Sequence, residues 1–295
     1  MKLAFVILNY GTFQETRECV SSIKEHIDVT QNEYNITIVD NGSTDDSLMQ
    51  LEKLYSNESN IDIIPAWENL GFARGNNLGI KHVNEKYSPK FVVALNSDTE
   101  IFQNDLYSKL SKEYENSHFG LLGPMMTLIY GQCNNSPWKA LSITQLECLL
   151  SQYKKKQAAI QNGTIYLEKV KNKIKDLFKS SRGEVDAMQK RTEFWKYQTD
   201  VVLQGACIIF SKDFFKYEEG FDSRTFLYFE EQLVYLSVKR HGLKAVYDPE
   251  IAILHKDGRA TKKVKFSRDK LKFINQCNID SLEILIETMK ADGME

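Results

Sequence analysis

Over its first hundred residues the chain alternates short, unbroken apolar runs with longer polar stretches of helical spacing. "LAFVIL" is followed by a helical stretch to about residue 27, then "NITIVD", a second helical stretch, "IDIIP", a third, and "FVVALN". Strand-like runs separated by helical patterns predict βαβ units and a mainly parallel sheet. In such sheets ligands gather where loops leave the carboxyl ends of the strands. Those loops read "NYG", "DNGSTDDS", "NLGFARGNNLG" and "NSDTE", and each carries Asn or Asp.

From about residue 130 to 200 the sequence becomes rich in Lys and Gln, with few strand signals. Within it, residues 166–178 set Leu167, Val170, Ile174, Leu177 and Phe178 on one helical face and Lys169, Lys171, Lys173 and Lys175 largely elsewhere, which predicts a basic amphipathic helix. Strand character returns at "DVVLQGACIIF" (200–210). "FLYFEEQLVYLSVKRHG" (226–242) predicts a helix with Lys239, Arg240 and His241 in its last turn and Gly242 as C-cap. "KAVYDPEIAILH" predicts two short strands, and the tail from about residue 262 is helical. The expected organisation is a nucleotide-binding half at 1–130, a helical basic insert at 131–199, a second half of the same domain at 200–262 and a helical tail at 263–295.

Composition narrows the class. A chain of 295 residues, 42% hydrophobic and 26% charged, can build one large domain with additions, or two domains. Its five cysteines (Cys19, Cys133, Cys148, Cys207 and Cys277) are scattered without metal-type spacing, so neither a zinc site nor a disulfide framework is expected and a reducing compartment is the default. The opening apolar run is too short for a signal-peptide core, and no stretch approaches ~20 apolar residues. The net charge of -2 conceals an asymmetry: residues 151–196 hold 12 Lys/Arg against 5 Asp/Glu, which leaves the remainder acidic. That segment suits an anionic surface. Nucleic acid is a poor partner, because the basic residues cluster in one insert with few aromatic neighbours.

Three strand-end motifs could carry chemistry. In "IVDNGSTDDS" (38–47), Asp40 ends a strand before an Asn-Gly turn, with Ser43 or Thr44 as a helix cap. Its carboxylate either accepts from a pyrimidine N–H or a ribose hydroxyl, or only closes the loop as an Asx-turn. In "ALNSDTE", Asn96 and Asp98 stand two apart in extended chain, so both can reach one cation, and a divalent ion prefers such hard oxygen ligands; a polar turn capping the next helix is the alternative. "ENLGFARGNNLGI" (68–80) fits neither common phosphate-loop spacing. Its glycines would let backbone approach a ligand, with Arg74 available to a phosphate, or the segment is a plain helix N-terminus.

Taken together, "VILNYGT", "VDNGSTDDS", "NLGFARGNNLG" followed by "LNSDT", and "GACIIFSKDFFKYEEGFDSRTFLYFEE" followed by "ILHKDGRAT" carry a family resemblance. Over most of residues 1–130 and 200–262 the chain resembles the inverting family 2 glycosyltransferases, especially the rhamnosyltransferase-like enzymes of bacterial surface polysaccharide assembly. The resemblance implies an α/β fold of the GT-A type, Rossmann-like with a mainly parallel central sheet and flanking helices, here with a helical insert and a helical C-terminal tail. It implies that Asn9 and Tyr10 border a nucleotide base and that Asp40 contacts base or ribose. Asn69, Gly71, Phe72, Gly75 and Asn76 would shape the donor pocket, with Arg74 beside them, and Gly205, Ala206 and Phe229 would lie on the acceptor side. Asn96 and Asp98 would be a variant of the D-x-D motif that holds a divalent cation, Mg²⁺ or Mn²⁺, on the sugar diphosphate. Asp98 would be the direct ligand, since a neutral Asn weakens cation binding. His255 matches the family's late histidine, which can approach the metal or diphosphate; a core histidine satisfied by a backbone carbonyl is the alternative. Asp257 stands where relatives often show a second histidine.

The reaction then lacks only a base. Adjacent helical residues point about 100° apart, so Glu230 and Glu231 cannot both face one cleft. Where the family usually reads Glu-Asp, the second carboxylate is the base, so the resemblance gives that role to Glu231 and leaves Glu230 to orient it through a backbone amide or Arg224. On helical pattern alone both would be first-turn acids favoured by the macrodipole. The implied activity moves a sugar, with inversion, from dTDP-rhamnose or a UDP-hexose to a hydroxyl of a saccharide or lipid-linked acceptor. It would take place in the cytoplasm or on the cytoplasmic face of the membrane; the helix at 166–178 would either lie on that anionic surface or pack its apolar face on the domain with its lysines to solvent. Two other classes stay open. A nucleotidyltransferase would need a Gly- and basic-rich loop after strand one, which "NYGTFQE" lacks; a non-catalytic nucleotide-sugar-binding subunit would have no use for Asp98 and Glu231.

Overall fold

The computed structural model describes residues 1–128, 137–163, 193–256 and 267–294. Strand β1 (Leu3–Asn9) lies between β2 (Tyr34–Asp40) and β4 (Phe91–Asn96), and β3 (Ile61–Pro65) flanks β2, all parallel. Along β1, Leu3, Phe5 and Ile7 enter one core layer and Ala4 and Val6 the other, all fully buried. A strand covered on both faces has no solvent side, which is why its sequence does not alternate.

The sheet continues through β8 (Cys207–Ser211), antiparallel to β4, then β6 (Leu121–Thr127), antiparallel to β8, and β9 (Ala245–His255), parallel to β6. Two short strands, β5 (Thr99–Ile101) and β7 (Gln198–Thr199), run antiparallel to β9. Thus β1, β2, β3, β4, β6 and β9 share one direction, as the pattern predicts. Helices α1 (Phe13–His26), α2 (Ser47–Tyr55) and α4 (Leu106–Ser117) cover one face. The other is covered by α3 (Gly71–Tyr87), α5 (Ile143–Gln161), α6 (Glu230–Arg240) and α7 (Arg268–Ala291).

Four details depart from the pattern. "KAVYDPEIAILH" is one strand, because the register against β6 jumps from Asp248 to Ala252 and so accommodates Pro249, which has no N–H to give a ladder. In "DVVLQGACIIF" regular strand begins only at Cys207, with Val202 bridged singly to Trp138. Helix α6 starts at Glu230, not Phe226, because Tyr228 and Phe229 adopt φ of 79° and 64°. Finally, α5, inside the stretch expected as a basic insert, buries Leu146, Leu149 and Ile160 in the same core as α7. The basic helix expected at 166–178 lies outside the described residues, as does Asp257.

Candidate active site

The loops after β1 and β2 are tied together by Asn9. Its side chain donates to Asp40 Oδ2 (2.7 Å) and Ser43 Oγ (3.2 Å) and accepts from Thr12 Oγ1 (3.1 Å) and Thr16 Oγ1 (2.8 Å). All four of its hydrogen-bonding positions are used and it is fully buried. Asn9 therefore braces the loop with its whole side chain, at the strand end where a nucleotide base is expected. Asp40, also buried, accepts from Ser43 N (3.0 Å) as well as from Asn9 and Ser43 Oγ, contacts that close the loop. Tyr10, next to Asn9, is half-exposed at the strand end.

Helix α3 begins against this loop. Asn41 donates to Asn69 Oδ1 (3.2 Å) and Gly71 O (3.1 Å) and accepts from Leu70 N (2.9 Å), an organising role that its place in "DNGST" did not announce. Gly75 faces Leu8 and Asn41, and Gly79 faces Val6 and Val39. These glycines let the helix approach the sheet. Asn76 is buried, its side-chain amide turned back to Phe72 O (3.0 Å). Asn69 and Arg74 are exposed, Arg74 donating to Leu70 O (3.1 Å). Gly71 has φ of 79°, and a Cβ there would collide with Phe226 O. Trp67, two residues past β3, is 86% exposed, and the neighbouring Ala66 N bonds to Asp40 O (2.8 Å). A lone tryptophan outside any apolar periodicity left no signal in the sequence.

The β5–β9 pairing brings Asp98 and His255 together, with His255 Nε2 3.4 Å from Asp98 Oδ1 and Lys256 N bonded to Asp98 O at 2.9 Å. His255 is buried, and its Nδ1 has no hydrogen-bond partner. The alternative of a core histidine satisfied by a carbonyl is thus not what the fold contains. Among the described residues no three His, Cys, Asp or Glu side chains converge as a metal cluster. The carboxylate of Asp98 and the imidazole of His255, with Asn96 two residues ahead of Asp98, are donor types that fit a divalent cation. Lys256, paired with Glu18 and Glu100, closes the flank behind them.

On the other side of β4, Asn96 N donates to Ala206 O (2.9 Å), and Gly205 lies directly under the Glu231 carboxyl, where a Cβ would collide with Oε1. Glu231 and the loop that begins at Asn96 therefore meet at one strand end. Glu230 is 4% exposed and its Oε1 has no partner. Burial, and next the charge of Glu231, push its carboxyl up to about 8, against the pull of the Glu230 and Tyr228 amides. Burial also raises Glu231, opposed by the amides of Glu231 and Gly205. The two adjacent carboxyls titrate as a pair, both held above the ordinary carboxylate range by burial. Arg224 does not reach Glu230; it is bonded to both Asp222 oxygens and to Thr288 Oγ1 (2.7 Å). Phe229 is the left-handed residue that launches α6, at a backbone cost of order 1–3 kcal/mol.

A cavity of about 700 Å³ lined by Lys81, Lys90, Lys212 and Phe215 lies at the opposite end of the strands and holds none of these groups.

A mainly parallel sheet with polar loops gathered at one strand end is the frame of a ligand-binding α/β domain, and the sequence gives its class. Residues 4–174 match the model of glycosyl transferase family 2, and the chain belongs to that family. The match takes in Asp40, the start of α3 and Asp98, while Glu230, Glu231 and His255 lie beyond it. No curated protein sequence matches the chain. Among solved structures it resembles S. aureus TarS residues 1-349 in complex with UDP-GlcNAc, at TM-score 0.55 and 15% identity over 97% of this chain and 70% of that one. The full S. aureus TarS structure aligns at TM-score 0.54 and 15% identity over 88% of this chain and 37% of that one. GalNAc-T7 with UDP, GalNAc and Mn²⁺ aligns at TM-score 0.58 and 11% identity over 86% of this chain and 44% of that one. At these identities the likeness shows the fold, which is GT-A.

Proposed function

We propose that the enzyme transfers a sugar with inversion from a nucleotide-diphosphate donor, dTDP-rhamnose or a UDP-hexose, to a hydroxyl of a saccharide or lipid-linked acceptor in surface polysaccharide synthesis. The observation that carries this reading is the seating of the Glu231 carboxyl on Gly205, one residue from the Ala206 carbonyl that binds the Asn96 amide. A partly buried carboxylate with a raised pKa is matched to removing a proton from the acceptor hydroxyl as it attacks the anomeric carbon. Glu230, raised by burial and by its neighbour's charge, would leave Glu231 as the single base that the reaction needs. The UDP, UDP-GlcNAc and Mn²⁺ complexes of the structural relatives support a nucleotide-sugar donor and a divalent cation.

In this reading Asp98 and His255, with Asn96, would hold Mg²⁺ or Mn²⁺, which when bound offsets charge on the leaving diphosphate. Tyr10 and Trp67, exposed at the ends of β1 and β3, would flank the nucleoside, and Arg74 would face its phosphates. The basic segment at 166–178 would rest on an anionic membrane surface where a lipid-linked acceptor is presented; no described helix is long and apolar enough to cross a membrane. The test is a binding and turnover screen of dTDP-rhamnose, UDP-GlcNAc and UDP-glucose with and without Mn²⁺. Binding of none of them in the presence of Mn²⁺ would sink the proposal.

A further inference from the structure

The segment that delivers the two glutamates is gripped from two sides. Tyr228 and Phe229 are consecutive non-glycine residues at positive φ, 79° and 64°, a conformation that persists only where the surroundings impose it. The two carbonyls just before them are both fixed. Phe226 O accepts from Phe72 N of α3 at 2.8 Å, and Leu227 O accepts from Ser281 Oγ of α7 at 2.9 Å. The Leu227 carbonyl belongs to the peptide plane whose rotation would change ψ of Leu227 and φ of Tyr228 together. A hydrogen bond on that oxygen therefore holds Tyr228 in its left-handed state.

Ser281 is 1% exposed, between Asp280 and the fully buried Leu282, a place where an apolar side chain would pack without a polar group to satisfy. Its hydroxyl has one external task. The same face of α7 touches the segment at two further points: Phe273 packs edge-on against Phe226 with centroids 5.6 Å apart, and Thr288 Oγ1 accepts from Arg224 at 2.7 Å. Positions 273, 281 and 288 are spaced by eight and seven residues, which lines them up along one side of a helix. All lie beyond the matched family segment.

We propose that Ser281 is a positioning residue for glycosyl transfer: by holding the Leu227 carbonyl it fixes the direction in which α6 starts and so seats the Glu231 carboxyl over Gly205. The proposal rests on Glu231 being the base. Ser281→Ala, Ser281→Thr, Glu231→Gln and the double variant Ser281→Ala/Glu231→Gln are compared in turnover of whichever of dTDP-rhamnose, UDP-GlcNAc or UDP-glucose wild type uses best. Binding of the matching free diphosphate with Mn²⁺ and amide hydrogen exchange are measured alongside. Ser281→Ala is expected to lose about 10- to 100-fold in kcat, with diphosphate affinity within about twofold of wild type. Exchange should quicken at 226–232 and stay unchanged across the rest of α7. Ser281→Thr, which keeps the hydroxyl, should restore kcat, and adding Ser281→Ala to Glu231→Gln should cost nothing more. Wild-type kcat in Ser281→Ala, or a Thr variant as slow as the Ala variant, overturns the proposal, as does a full further loss in the double variant. Wild-type turnover by Glu231→Gln overturns the base assignment and the catalytic part of this proposal with it. In that case the exchange at 226–232 alone judges the clamp.

Discussion

The backbone N–H of Phe72 donates to the carbonyl oxygen of Phe226 at 2.8 Å. This bond joins the first turn of α3, in the donor half, to the segment that launches Glu230 and Glu231, and Gly71 is the residue that makes room for it. Asn77 strengthens the junction, its amide bonded both to Phe221 N (2.8 Å) and to Phe221 O (2.7 Å). Gly71→Ala is expected to destabilise the protein by about 1 to 3 kcal/mol, because a side chain at φ of 79° is strained and its Cβ meets Phe226 O. Chemical denaturation measures this, and an unchanged midpoint would show that the junction yields freely.

Glu231→Gln should lower kcat by roughly 10²- to 10⁴-fold, the usual contribution of a general base, while nucleotide binding persists. Steady-state kinetics together with calorimetric titration of UDP or dTDP separate the two effects. If Glu230→Gln is inactive while Glu231→Gln turns over normally, the base is the neighbouring residue.

Glu230 should make stability depend on pH. Its carboxyl titrates near 4.5 in the unfolded chain and near 8 in the folded one, so between those values the native state binds more protons and stability falls as pH rises. Glu230→Gln removes that loss. The variant's stability relative to wild type should therefore increase from pH 4.5 to 8 in denaturation series at several pH values; a constant difference would mean that Glu230 is ionised in the fold.

Asp98→Ala should weaken Mn²⁺-dependent UDP or dTDP binding at least about tenfold and leave metal-free binding almost unchanged. Calorimetry with Mn²⁺ and with a chelator checks this, and equal affinity in both variants would remove Asp98 from the metal set.

Deleting residues 164–192 should abolish co-flotation with vesicles containing anionic lipid, if the basic segment is the membrane contact. The deletion has to begin after α5, whose Leu146, Leu149 and Ile160 belong to the core. Undiminished flotation would assign membrane binding, if any, to another surface.

Sequence alone determined the parallel sheet and the places where polar loops leave it, because strands covered on both faces must be continuously apolar and ligand-facing loops must not be. Gly242 could be read as the stop of α6, since a left-handed residue is needed there and Gly supplies it without strain. The family resemblance marked Glu231 and Asp98 through local motifs. What each polar residue does was a different matter. Asn9 and Asn76 look like ligand contacts in a motif, and only the fold shows them spending their hydrogen bonds on Asp40, Ser43, Thr12, Thr16 and Phe72. Side-chain composition does not say which way an amide turns. The meeting of Asp98 with His255 and of Leu227 with Ser281 also came from tertiary structure alone, through the β5–β9 pairing and the packing of α7. Local periodicity reports which residues are buried along one element. It carries no information on which element, more than a hundred residues away in the first case and more than fifty in the second, will lie across from them.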